Sequence, residues 1–144
     1  MHKSDDLLNV SKVLYEELKM LGIDEIRNAM LLIHDEKNDF FIDHDYSSIG
    51  GKITQIPTNG ISLIEKYVKE LKENEKSKVS FLELIVSGEE LESWKKARKA
   101  TGMLDDPRLD SMEALYYYHY SIGKGNISIS TFSALSNEKL QVLE

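Results

Sequence analysis

The stretch "ALYYYHYSIGKGNISIS", Ala114 to Ser130, puts four tyrosines and one histidine into five consecutive positions before a Gly-rich turn and an alternation of Ile with Ser. Rings, an imidazole and small hydroxyls at period two can do one of three things. They can fill a sheet, line a ligand pocket, or supply acid–base chemistry. Strand alternation sends Leu115, Tyr117, His119 and Ser121 to one face and Tyr116, Tyr118, Tyr120 and Ile122 to the other. With "GKGN" as the turn, Ile122 should lie opposite Ile127, Tyr120 opposite Ile129 and Tyr118 opposite Thr131. The face of Tyr117 and His119 then gathers Ser128, Ser130 and Phe132, and these five residues are the expected ligand-binding wall. The opposite face is apolar and suits helix packing. Tyrosine and β-branched residues also favour strands for their own sake, so the same run serves as sheet core.

Two further clusters carry ionisable groups. "HDEKNDFFIDHD" offers His34, Asp35, Asp43, His44 and Asp45, which a hairpin could gather for a divalent metal. The spacing does not fix two ligands on one face, so the expectation is a solvated hairpin and no metal. "LDDPRLDSME" offers Asp105, Asp106, Asp110 and Glu113 around Arg108; paired carboxylates act as acid and base when burial separates their pKa values. A Pro-containing loop predicts exposure instead. No nucleophile has a base beside it in sequence, and "GKG" leads into a strand rather than a helix N-terminus, so phosphate cradling is not expected. No catalytic residue and no cofactor is assigned. The rival reading is a small enzyme with acid–base chemistry at His119 or metal chemistry at His34 and His44.

The elements that position these residues fit one domain, 1–144, with 41% hydrophobic and 30% charged residues. A net charge of −7 argues against a nucleic-acid partner. The dense basic run "KKARK", Lys95 to Lys99, follows the acidic "EELE" and reads as a solvated helix face. The longest apolar run, Ala29 to Ile33, is too short to cross a bilayer, so no membrane contact is expected. The lack of cysteine removes thiol chemistry and fits a cytoplasmic location.

A helix is predicted at about 4–22, stopped by Gly22, with Leu7, Val10, Leu14, Leu18 and Leu21 as an apolar stripe. A hairpin follows, its first strand Ala29–Ile33 apolar on both parities and therefore buried on both faces, its second nearer the edge. A short strand closed by Pro57 comes next, then a helix from Ile61. "SKVSFLELIVSG" reads as either strand or apolar loop, and the helix behind it has capping-box spacing at Ser87 and Glu90. After the last hairpin a helix begins near 136 and runs to 144, as though the chain were an excised piece that continues.

This order of elements, with "LYEELKMLGI" leading into "AMLLIHDE" and "YYYHYSIGKGNISIS" leading into "LSNEKLQVLE", resembles the GAF-type sensory domains of bacterial signalling proteins. It looks most like those ahead of histidine kinase (two-component) or nucleotide cyclase modules. The resemblance implies an α+β fold of GAF/PAS-like type. An antiparallel sheet would have its N- and C-terminal helices on one face and a small-molecule pocket, where one is used, on the other. The first strand would lie beside the last. It also implies a regulatory domain that dimerises through its terminal helices and controls a C-terminal effector. The chain departs from the family in lacking the Cys of bilin-binding and methionine-sulfoxide-reducing relatives. It also lacks an ordered Asn-Lys-Phe-Asp-Glu set like that of cyclic-nucleotide binders, so no family ligand residue is carried over by position.

Overall fold

The computed structural model describes residues 3–35, 37–58, 60–77, 81–102, 107–121 and 125–139. Helix α1 (Lys3–Met20) leads to β1 (Ile26–Asp35), β2 (Phe40–Ser47) and β3 (Gly50–Pro57). Helix α2 (Ser62–Lys76), β4 (Phe81–Ser87) and α3 (Gly88–Ala100) follow. A 3-10 turn (Pro107–Ser111), β5 (Ala114–Ser121) and β6 (Gly125–Thr131) complete the order. All six strands form one antiparallel sheet in the order β3-β2-β1-β6-β5-β4. The fold is α+β, both hairpins share the sheet, and Ala29–Ile33 lies in its interior beside β6, as its two-sided apolar pattern predicts. The ambiguous apolar segment is a strand: its alternation buries Leu82, Leu84 and Val86 while Glu83 and Ile85 point outward.

α1 ends where Gly22 adopts a φ of 97°. Gly22 and Ile23 donate backwards to the carbonyls of Lys19 and Leu18, satisfying the open end of the helix. α1 packs on β1, β2 and β3. There Tyr15, Leu18, Ile23, Ile26 and Ala29 share a core with Tyr118, Ile129 and Leu135. Leu135 begins the exit of the chain on this same face; its N–H donates to the Tyr118 hydroxyl at 3.1 Å, and Lys139 pairs with Glu25 at 2.7 Å. The predicted apolar stripe is divided. Leu18 is buried and Leu7 and Leu14 are half-buried, while Val10 and Leu21 turn outward with Val13 and Met20.

The opposite face carries the larger core. α2 and α3 cover it with Leu63, Ile64, Tyr67, Leu91 and Trp94, over Met30, Leu32, Phe41, Leu84 and Leu115 from the sheet. Ser87 caps α3 from an extended conformation without a side-chain hydrogen bond, so the capping-box spacing is not used as a box.

Two expectations are corrected. In the last hairpin Ser121 pairs with Asn126, Tyr120 with Ile127 and Tyr118 with Ile129, a register two residues tighter than predicted. Gly125 belongs to β6 rather than to the turn, because its missing Cβ lets β6 close on β1: a Cβ there would meet the Leu32 carbonyl oxygen at 2.5 Å. A shift of two leaves every side chain on its predicted face. The turn itself (122–124), Asp105 and Asp106, and the outgoing helix beyond Lys139 lie outside the described residues.

Candidate functional site

The face of β1, β2, β5 and β6 beneath α2 and α3 holds an unusual amount of buried polarity. Its first cause is a bulge in β1. Pairing with β6 shifts between Ile26 and Asn28, and the bulge brings the Arg27 side chain to the same face as that of Asn28. Both residues are 1% exposed. The Arg27 Nε donates to Ser130 Oγ at 2.9 Å, Ser130 in turn donates to Asn28 Oδ1, and Asn28 Nδ2 donates to Asp45 Oδ1 at 2.8 Å. A chain of polar groups thus crosses from β6 through β1 to β2.

The second cause is β2 itself. It is flanked by β1 and β3 and covered on both faces, so its alternating "FFIDHD" has no solvent side. Phe41, Asp43 and Asp45 enter the core under α2 and α3, while His44 enters the core under α1. The expected solvated hairpin is therefore overturned for Asp43, His44 and Asp45, all buried; His34 and Asp35, at the strand end, stay half-exposed. His44 is held by its ring Nδ1 at 2.9 Å from the Leu31 carbonyl oxygen, and its own carbonyl accepts from Ser11 Oγ. His34 pairs with Phe41 and His44 with Leu31, which puts the two imidazoles on opposite faces. The hairpin does not bring them together. Among the described residues, no three His, Asp or Glu side chains gather as metal ligands would.

The third cause is α3. Leu91, Trp94 and Arg98 recur at spacings of three and four and form its buried stripe. Arg98 is the exception to the solvated reading of "KKARK": its guanidinium turns into the core, and burial followed by repulsion from Arg27 lowers its pKa.

These groups line a cavity of about 50 Å³ between sheet and helices. Arg27, Asp43, Arg98, Tyr67, Tyr117 and His119 are among its lining residues, but the surface that faces the space is almost wholly apolar. Met30, Leu32, Phe41, Ile56, Leu63, Ile64, Leu84 and Trp94 supply the apolar remainder. That volume holds roughly three to five waters, or a molecule of about that many heavy atoms. Asp43 is 2% exposed, and its Oδ1 has no hydrogen-bond partner among the protein groups. Burial, then the neighbouring Asp45, push its pKa well above the usual carboxylate range, against the pull of Arg98 and Arg27. The Tyr67 hydroxyl, raised mainly by burial, lies close to Ser128 and Asn126 yet completes a bond to neither; the Asn126 Oδ1 is also unpaired. Each such buried orphan costs about 1–3 kcal/mol.

Of the five predicted wall residues, Tyr117 and His119 line the cavity. Ser128 stands behind them, its hydroxyl 2.5 Å from His119 Nδ1, and Ser130 belongs to the Arg27–Asn28 chain. Phe132 lies at the margin of the core beneath the Arg108 guanidinium, 5.0 Å from its ring centroid, and does not reach the cavity. Tyr117 accepts from Trp94 Nε1 at 2.8 Å. His119 stacks on Tyr67 at 4.3 Å, and burial pushes its pKa down to about 3. It is a neutral imidazole at ordinary pH and a weak base. Asp110 and Glu113 are exposed, as expected of their loop.

Arg27, Asp43, Tyr67 and Arg98 were not among the expected wall residues. The signal available for Asp43 was its position two residues from Phe41 in a strand with large apolar neighbours. For Arg98 it was the spacing from Leu91 and Trp94. Arg27 had none, because a bulge leaves no periodic trace.

Comparison with family models, with curated proteins and with solved structures finds no match for this chain.

Proposed function

We propose that the chain is a GAF-like regulatory domain in which a small molecule, held in the cavity beneath α2 and α3, alters the packing of the helices on the opposite face. The observation that carries this reading is the cavity itself. It is small and its surface is almost wholly apolar, and two nine-tenths-buried polar residues among its lining, Asp43 and Tyr67, have atoms without a protein partner. The sheet order, with first strand beside last, and the exit of the chain on the α1 face agree with the sensory arrangement. The Glu25–Lys139 pair ties the loop after α1 to the start of the outgoing segment, so a shift in the sheet would reach both ends together. In this reading the effector, of histidine kinase or nucleotide cyclase type, lies downstream and the domain works as a homodimer through its terminal helices.

The test is ligand-observed NMR with a panel of molecules of about three to five heavy atoms. The control is Leu63→Phe, which fills the cavity from α2. The expected result is at least one binder abolished by Leu63→Phe, whose binding changes amide exchange in α1. If no panel member binds in a way the filled variant blocks, the ligand-pocket reading fails.

A further inference from the structure

Resting on that reading, we propose that the cavity takes an uncharged apolar molecule of about three to five heavy atoms, such as a short branched hydrocarbon, and discriminates against polar molecules of the same shape.

Three features of the lining lead there. The first is the surface that faces the space, which is almost wholly apolar although two arginines, an aspartate, two tyrosines and a histidine are among the lining residues. Their polar atoms are engaged elsewhere or covered. The Tyr117 hydroxyl accepts from Trp94 Nε1 at 2.8 Å, His119 Nδ1 lies 2.5 Å from the Ser128 hydroxyl, and Arg27 Nε donates to Ser130 Oγ at 2.9 Å. Asp43 Oδ1 and the Tyr67 hydroxyl have almost no accessible surface. What these residues turn toward the space is carbon.

The second feature follows from desolvation. A carboxylate, an ammonium or an amide entering this space gives up its water and meets no surface group able to replace it. An apolar guest loses no hydrogen bond on entry and gains dispersion contacts from the surrounding side chains. Apolar cavities in proteins take benzene and xenon for this reason.

The third feature is that the lining is braced. A void in a core shrinks when its side chains can relax into it. Here Phe41 stacks on Tyr67 at 5.5 Å, Tyr67 stacks on His119 at 4.3 Å, and Tyr117 lies parallel to His119 at 6.0 Å. The hydrogen bonds of Tyr117 and His119 fix one end of this row of rings. The space is therefore already formed for a guest, and its volume of about 50 Å³ sets the upper size limit. A guest there touches α2 through Leu63, α3 through Trp94 and the sheet through Leu32 and Phe41, and so joins all three.

The experiment titrates the whole protein with isobutene, acetamide and sodium acetate, followed by ligand-observed NMR. The three probes share one planar Y-shaped skeleton and differ in polarity. Isobutene should bind at least about tenfold more tightly than either polar probe, and Leu63→Phe should abolish its binding. Leu63→Ala, which enlarges the space, should bind benzene at least about tenfold more tightly than the wild-type protein does. If Leu63→Phe fails to fold, that comparison decides, and equal benzene binding by Leu63→Ala and wild type overturns the assignment. Acetamide or acetate binding as tightly as isobutene, and blocked by Leu63→Phe, overturns the assignment and leaves the pocket reading standing. Isobutene binding indifferent to both variants lies elsewhere on the protein and overturns it as well. If none of the three binds while another small probe does so in a Leu63→Phe-sensitive way, the assignment alone is lost. If nothing in the wider panel binds, both readings are lost.

Discussion

Replacing His119 with phenylalanine should flatten the acid limb of the protein's stability curve. The ring is 5% exposed, stacked at 4.3 Å on Tyr67, and its pKa is pushed by burial from 6.5 to about 3. The sign follows from proton counting. Below about pH 6.5 the unfolded chain binds a proton at this histidine and the folded chain does not, so folding becomes less favourable as pH falls toward 3. Between about pH 7.5 and about pH 4.5 the unfolded form gains roughly two pH units of protonation free energy, about 2–3 kcal/mol. His119→Phe keeps a stacking ring but cannot titrate. It also leaves the Ser128 hydroxyl without the imidazole nitrogen 2.5 Å away, a cost of about 1–3 kcal/mol that should be nearly constant with pH. The variant is thus the less stable protein at neutral pH, and the gap should close or reverse in acid. Urea unfolding followed by circular dichroism across this range gives both curves, and the Asp43 contribution is common to them. Parallel curves would refute the argument, since they would mean that the imidazole protonates equally well in the folded protein.

Asp43→Asn should act in the opposite pH range. A carboxyl whose pKa is raised by folding costs stability once pH climbs past the unfolded value, so the amide should stabilise the ligand-free protein by about 1–3 kcal/mol near pH 8 and little at pH 4, as read from the same unfolding curves. Gly125→Ala should destabilise by about 2–3 kcal/mol or more, because the new Cβ meets the Leu32 carbonyl oxygen at 2.5 Å and Ile33 Cδ1 at 2.9 Å; thermal melts no different from wild type would show that β6 can move aside. Leu21→Glu, at a position 62% exposed, should leave the melting temperature within a few degrees of wild type. If the terminal helices pair, the same change should convert a dimer to a folded monomer in sedimentation velocity.

Much of the fold was legible because the signals were periodic. Ala29–Ile33 is apolar on both parities and lies between two strands and two helical layers, and Gly22 stops α1 where its freedom at positive φ is needed. The faces of Tyr117 and His119 were legible for the same reason, since alternation survives a register error of two. What was hidden is the polar half of the site. A charged residue in a strand is ordinarily read as facing water, yet β2 has no water-facing side, and that follows from its neighbours in the sheet rather than from its own residues. The same holds for Arg98, one of four cations in five positions, distinguished only by its angle on the helix. Local composition reports what a segment prefers; burial is decided by what is assembled around it.

The place of β1 beside β6 has a kinetic consequence. Strands β1 to β3 form one meander and β4 to β6 another sheet segment, and the two meet in the sheet along the β1/β6 ladder, between residues about a hundred apart in sequence. Local hairpins close in microseconds, whereas this joint must close a long loop before any of its contacts form. The cavity straddles it: Arg27 and Asp43 come from one side, Arg98, Tyr117 and His119 from the other. A complete lining therefore requires the β1/β6 joint to have formed. A chain cut between α2 and β4 should give two fragments that are each silent, and that recover the cavity together, on mixing, with second-order kinetics.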